Sequence, residues 1–408
     1  MQCNGVHSGL RRAGDLLVAA ARRGPLLSET DESTVRRRSL VSPVTGGRSA
    51  ALPTFPWDTL AEATALARSH PDGIVDLSVG TPVDPVADVI RDALAAASSA
   101  PGYPTTAGTA ALRTAAAGAL HRRYGITGLT ESAVLPVIGT KELIAWLPTL
   151  LGLGEQQVVV VPELAYPTYE VGARLAGARW VRSDAPQLRD GPPPALVYLN
   201  SPSNPTGAIL GEEELRAVVD WAREHDVLVV SDECYLGLGW DAEPRSVLHP
   251  AVCDGDHRGL LAVHSLSKTS SLAGYRAGFV AGDAAVVAEL LAVRKHAGMM
   301  VPTPIQAAMV AALDDDAHEH EQRERYARRR ATLLPAIQAA GFTVELSQGG
   351  LYLWATRGEP CRTSVEWLAQ RGILVAPGEF YGPAGAQHVR VALTATDERI
   401  AAAAARLS

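Results

Sequence analysis

Val227-Leu228-Val229-Val230-Ser231-Asp232-Glu233-Cys234-Tyr235 is an apolar run that stops on a carboxylate and, three residues later, a phenol. Two other stretches follow the same plan. Ala195-Leu196-Val197-Tyr198-Leu199 runs into Asn200-Ser201-Pro202-Ser203-Asn204-Pro205-Thr206-Gly207, and a further apolar stretch ends in His264-Ser265-Leu266-Ser267-Lys268, with Gly274-Tyr275-Arg276 close behind. Short apolar runs bounded by turn residues read as buried strands. Their alternation with helical stretches such as 212–224 predicts an α/β fold whose parallel sheet is covered by helices. Ligands of such sheets collect beyond the carboxyl ends of the strands, so Asn204, Asp232, Tyr235 and Lys268 are expected around one crevice.

By itself Lys268 reads as a solvated residue of a serine-rich loop. The company it keeps changes that reading. A buried carboxylate can keep a pyridine nitrogen protonated so that the ring withdraws electrons, while a lysine holds an aldehyde as an imine and later moves protons. A carboxylate, an amide, a phenol and an amine at adjacent strand ends are what pyridoxal 5'-phosphate needs.

Asparagine-proline-x-glycine at 204–207, aspartate-x-x-tyrosine at 232–235, serine-x-x-lysine at 265–268 and the downstream Arg276 occur in the order found in the class I and II aminotransferases of fold type I. The chain resembles that family from about Pro53 to its C-terminus. The resemblance implies that Lys268 is the covalent anchor of the cofactor, that Asp232 pairs with its pyridinium, and that Asn204 and Tyr235 hydrogen-bond its phenolic oxygen. Ser265 and Arg276 would hold the phosphate, for which arginine offers a planar, permanently charged fork. By the same likeness Tyr166 stacks on the cofactor ring, Arg390 binds the substrate carboxylate with Asn204 nearby, and the backbone of Gly80 approaches that carboxylate. Tyr103 would reach the cofactor phosphate of a neighbouring subunit, making the active unit a homodimer.

Gly139-Thr140 follows an apolar run and opens a helix-like pattern, so the free N–H groups of that first turn can receive a phosphate. A plain glycine turn is the alternative.

The chain has 408 residues, 47% of them hydrophobic, and a net charge of −7. That length exceeds one ordinary core. Residues 51–85 are expected to form an N-terminal arm and part of a small domain, 86–296 a large cofactor-binding domain, and 297–408 the rest of a smaller α+β domain. The negative charge argues against a nucleic-acid surface. Cys3, Cys234, Cys253 and Cys361 form no C-x-x-C pair, which suits a reducing cytoplasm. Cys234 reads as a small packing residue.

Residues 1–50 carry paired arginines among glycine, serine and threonine without a sustained apolar pattern, and are expected to be a disordered extension or to lie upstream of a start near Val41. The run 16–21 is too brief for a membrane span. Asp58 is expected to cap a helix over 59–69, and a long polar helix is expected from 314 to about 340. Within the latter, His318 and His320 are two residues apart and do not share a helix face, so a metal pair is rejected in favour of solvated charge.

The runs 55–60, 76–85, 139–148 and 273–283 resemble succinyldiaminopimelate transaminases. That likeness implies nitrogen exchange between N-succinyl-LL-2,6-diaminoheptanedioate and 2-oxoglutarate in lysine biosynthesis, with a further cation for the distal carboxylate: Arg294, Lys295 or Lys141. An aminotransferase for aspartate or aromatic amino acids, a β-lyase using the same Lys268 and Asp232, and a non-catalytic binding module are the rival readings.

Overall fold

A computed structural model describes residues 52–408; the extension expected at 1–50 lies outside the described residues. The strands are β1 (Val75–Asp76), β2 (Val134–Ile138), β3 (Val158–Val161), β4 (Arg179–Arg182), β5 (Leu196–Asn200), β6 (Leu228–Asp232), β7 (Leu260–Ser265), β8 (Ala277–Gly282), β9 (Thr343–Glu345), β10 (Tyr352–Thr356), β11 (Ile373–Leu374), β12 (Ala376–Pro377) and β13 (His388–Ala392). Seven of them form one sheet in the order β2-β8-β7-β6-β5-β3-β4. Only β8 runs against its neighbours. The short link 266–276 before it suits that direction, because a parallel crossover takes a dozen or more residues.

The central strands are apolar without alternation because both faces are covered. Val197 and Leu199 of β5 enter a core shared with the helices Ala110–Tyr124 and Glu212–Glu224. Leu196 and Tyr198 point the other way, into a core shared with the helices Thr140–Leu150, Thr168–Ala176 and Ala284–Ala297. The helix Glu212–Glu224 buries Leu215, Val218, Val219 and Ala222, one stripe at helical spacing. Its first turn holds Glu212, Glu213 and Glu214 against the positive end of the helix, and Glu214 accepts from the Gly211 N–H at 2.7 Å.

A second, antiparallel sheet has the order β12-β13-β10-β9. Its core takes Tyr326, Leu333 and Ile337 from the helix Asp316–Ala339, and Ile400 and Ala403 from Asp397–Leu407. Chain from before residue 86 joins it, since β1 pairs in parallel with β11 and Leu77 lies in the same core. Arg329, only 3% exposed, ties these segments together: it donates to Asp84 at 2.8 Å and to Asp397 at 2.6 Å.

Three local expectations are corrected. Asp58 is not a cap, because Pro56 starts a 3-10 turn, Pro56–Leu60, with Asp58 inside it; the α-helix is Ala61–Arg68. Proline's fixed φ and missing N–H suit such a first position. The long polar helix begins at Asp316, after an extended Asp315 whose carboxylate accepts from Ala317 and His318 N–H groups, and a separate helix, Thr303–Asp314, precedes it. His318 is buried, not solvated: its ring nitrogens lie 2.9 Å from Asp315 and 2.9 Å from Ser270 Oγ, while His320 stays exposed. Among the described residues no helix is long and apolar enough to cross a membrane.

Candidate active site

The carboxyl ends of β2, β3, β5, β6 and β7 open into a cavity of about 740 Å3. Of the residues expected there, Gly80, Thr140, Tyr166, Asn204, Asp232, Tyr235, Ser265, Lys268, Arg276 and Arg390 line it. Gly139 stands directly behind the Arg276 guanidinium. Tyr103 does not join the site within one chain; it is 99% exposed.

Asp232, the last residue of β6, is buried. Its Oδ2 accepts from the Tyr169 hydroxyl at 2.8 Å and its Oδ1 from the Cys234 N–H at 3.2 Å. Burial pushes this carboxyl above the ordinary range, and the donors of Cys234 and Tyr169 work against that rise. A cationic ring N–H facing it would supply the missing partner charge. Cys234 is half-buried: its Sγ lies 3.4 Å from Thr140 Oγ1, and burial followed by the nearby Asp232 holds the thiol well above its usual pKa. A thiol held protonated is a weak nucleophile.

Lys268 sits in the helical turn Leu266–Thr269, where Ser265 Oγ accepts from the Ser267 N–H at 3.1 Å. Tyr326 donates to the Lys268 carbonyl at 3.1 Å, and Nζ donates to the Gly80 carbonyl. Burial lowers the lysine's pKa, which favours the neutral amine needed for attack on an aldehyde.

The wall beside it holds a cation and two hydroxyls. Gly139, at φ 76°, lets the chain turn from β2 into the helix Thr140–Leu150. A Cβ at that position would collide with Arg276, so the glycine makes room for the guanidinium. Thr140, Ser265 and Arg276 line the cavity together, two hydroxyls and a guanidinium that could receive a phosphate.

At the other side Arg390, 3% exposed, lies on β13. Its Nη1 donates to Asn204 Oδ1 at 2.8 Å, its Nη2 donates to the Ser78 carbonyl at 2.7 Å, and Nε has no partner among the described residues. Asn204 is itself set by Asn200, whose Oδ1 accepts the Asn204 N–H at 2.7 Å. The guanidinium is stacked against Tyr352, 3.9 Å from its ring centre, with Tyr381 at 4.9 Å. Neutral acceptors alone leave a buried cation uncompensated, the condition that a bound carboxylate relieves.

The three cations considered for a distal carboxylate separate clearly. Arg294 is fully buried in a two-point pair with Glu142, at 3.0 and 3.1 Å, and Lys295 is exposed on the same helix, outside the cavity wall. Lys141 lines the cavity, its ammonium 5.6 Å from the centre of the Phe55 ring. Sequence reasoning missed Tyr169 and Tyr352. Tyr169 stood three residues beyond Tyr166, in the first turn of the helix Thr168–Ala176, whereas Tyr352 had no local signal beyond an apolar strand.

The family described as aminotransferase class I and II matches residues 72–407. A probable aminotransferase of Mycobacterium tuberculosis (strain ATCC 25618 / H37Rv) is 77% identical over 367 residues, covering 90% of this chain and 88% of its own length. The 4-dedimethylamino-4-oxo-anhydrotetracycline transaminase OxyQ of Streptomyces rimosus is 61% identical over 357 residues, 88% of this chain and 99% of that protein. Among solved structures, a probable N-succinyldiaminopimelate aminotransferase of Thermus thermophilus superposes with a TM-score of 0.79 at 27% identity, covering 86% of this chain and 99% of that one.

Proposed function

This chain belongs to the class I and II aminotransferases, enzymes of fold type I that use pyridoxal phosphate, and from that premise we propose which residues serve the reaction and on what substrate. Lys268 anchors the cofactor, Asp232 holds a proton at its ring nitrogen, and Asn204 and Tyr235 face its phenolic oxygen. Gly139, Thr140, Ser265 and Arg276 receive its phosphate, and Tyr166 covers its ring. When bound, the cofactor supplies an electrophilic carbon and an electron-withdrawing ring. Arg390 then grips the substrate carboxylate and turns one bond of the α-carbon toward the Lys268 amine, which takes and returns the proton there. Burial lowers the pKa of Lys268, which moves it in the direction that exchange needs.

We propose glutamate as donor and N-succinyl-2-amino-6-oxoheptanedioate as acceptor, a step of lysine biosynthesis in the cytoplasm. The observation that carries this reading is Lys141, a cation of the cavity that contains Arg390, to which neither the cofactor's aldehyde nor its phosphate lays claim as they do to Lys268 and Arg276. A substrate with carboxylates at both ends matches two such cations. A homodimer, in which the exposed Tyr103 reaches the partner's phosphate site, is part of the same proposal.

A second reading rests on the apolar part of the cavity lining. Phe55, beside Lys141, together with Trp57, Ala145 and Val171 gives the cavity an apolar surface, which favours a flat polycyclic ketone of the kind named for the Streptomyces relative. An acceptor screen with glutamate as donor decides between them. Fastest turnover of the succinylated oxo acid, with a KM raised at least about tenfold by Lys141→Ala, supports the dicarboxylate. Preference for a polycyclic ketone, insensitive to Lys141→Ala, overturns it in favour of the second reading.

A further inference from the structure

Tyr352 touches three parts of the site at once. Its position on β10 is opposite Ala392, one step along the same face from the pair Trp354 and Arg390, so its ring lies diagonally across from the Arg390 side chain. That ring forms the nearer wall of the arginine stack, at 3.9 Å. Its hydroxyl lies 3.1 Å from the Tyr235 hydroxyl, the two rings meeting edge to face with centres 5.9 Å apart. It also abuts Gly80, where any Cβ would strike the Tyr352 oxygen, and the Gly80 carbonyl is the acceptor of Lys268 Nζ. Both tyrosines are almost wholly buried, at 4% and 6% exposure.

Each phenol has a single proton, and geometry alone allows either oxygen of the Tyr235–Tyr352 pair to donate. Their chemistry breaks the tie. If Tyr235 faces the phenolic oxygen of the cofactor, as the proposed function has it, its one proton is committed there. The bond between the tyrosines must then run from Tyr352 to Tyr235. A hydroxyl that accepts a hydrogen bond becomes a stronger donor, because the chain polarises cooperatively.

We propose that Tyr352 is a positioning residue with two separable parts: its hydroxyl donates to Tyr235 and strengthens that residue's hold on the cofactor's phenolic oxygen, while its ring fixes the Arg390 guanidinium for the substrate carboxylate. The inference rests on the proposed cofactor role of Tyr235. The ring contributes by cation–π attraction to a buried guanidinium, and the hydroxyl by one buried hydrogen bond.

The test is the pH titration of cofactor absorbance in the holoenzyme, joined to steady-state kinetics. Tyr352→Phe keeps the ring and deletes the oxygen. It should raise the midpoint of the absorbance titration by about half a unit to one unit, because the deprotonated cofactor loses part of its stabilisation. Tyr352→Leu should raise the midpoint likewise and in addition raise KM for the amino acid about tenfold over the Phe variant. In a Tyr235→Phe background the shift caused by Tyr352→Phe should vanish, since the two hydroxyls act as one unit. An unchanged midpoint in Tyr352→Phe, or an equal shift with and without the Tyr235 hydroxyl, overturns the inference. Failure of the underlying reading of Tyr235 looks different, because Tyr235→Phe alone would then leave the midpoint of the titration unchanged.

Discussion

The Tyr169 hydroxyl donates to Asp232 Oδ2 at 2.8 Å, from a ring that is stacked on Tyr198 with centres 4.7 Å apart. A wholly buried phenol is thus committed to a buried carboxyl. Burial pushes Asp232 up, and hydrogen bonds from Cys234 and Tyr169 oppose it. Tyr169→Phe removes one of those bonds at no change of shape, so Asp232 should take up its proton at higher pH. The acid limb of the kcat profile should move upward by about half a unit to one unit. A kcat profile superimposable on the wild type would show that the bond does not tune Asp232.

Gly139→Ala should weaken cofactor binding while leaving the protein folded. The backbone there has φ 76° and ψ 149°, close to a region used essentially by glycine alone that costs an L-residue about 1–3 kcal/mol, and the new methyl group would displace Arg276. Absorbance titration of the apoprotein with pyridoxal phosphate should give a Kd raised about tenfold or more, because the phosphate end loses its fork. Equal affinity in the variant would remove Gly139 from the phosphate cradle.

The strand ends were readable because each announces itself locally. An apolar run that breaks into Asn204, Asp232 or Lys268 carries both the strand and the site in a few residues, and the strands Leu196–Asn200 and Leu228–Asp232 end where those runs break. The rest depends on partners far along the chain. Nothing near Tyr352 reveals that Tyr235 and Arg390 will meet it, and nothing near β2 reveals that it will pair with β8 at the sheet edge. His318 misled for the same reason: a charged helical run looks solvated until Ser270 closes over it. Arg294, grouped with Lys141 by sequence, was separated from it only by the Glu142 pairing.

Behind the site, Glu233 and His264 form a second pH-dependent pair. Glu233 Oε1 accepts the Val247 N–H at 2.8 Å, and its Oε2 lies 3.6 Å from His264 Nε2, both groups being buried. Burial pushes Glu233 up to about 7 and His264 down to about 3. For Glu233 the folded state holds its proton more tightly than the unfolded chain, so its contribution is complete below the ordinary value of 4.5 and is lost as pH rises through about 7. For His264 the sign reverses: its contribution is complete above 6.5 and is lost as pH falls toward about 3. Glu233→Gln should therefore flatten the fall in stability between about pH 4.5 and pH 7, an effect of at most about 3 kcal/mol. His264→Phe should flatten the loss on the acid side. Urea unfolding midpoints across pH measure both, and a Glu233→Gln curve parallel to the wild type throughout would refute the assignment.

Arg294 and Glu142 join the helix Ala284–Ala297 to the first turn of Thr140–Leu150, the turn that carries Thr140 and Lys141. Arg294 is fully buried, so removing its partner strands a cation away from water. Glu142→Gln should cost about 3 kcal/mol or more, with a lower Tm and weaker cofactor binding as the helix start loosens. Replacing both residues, Arg294→Met with Glu142→Leu, removes both charges together and should recover most of the stability. Neither change should alter the ratio of KM for dicarboxylic to monocarboxylic acceptors, because Arg294 does not line the cavity and Lys141 does. A selective rise in KM for dicarboxylic acceptors in Arg294→Met would move the distal-carboxylate role from Lys141 to Arg294, against the burial that separates the two.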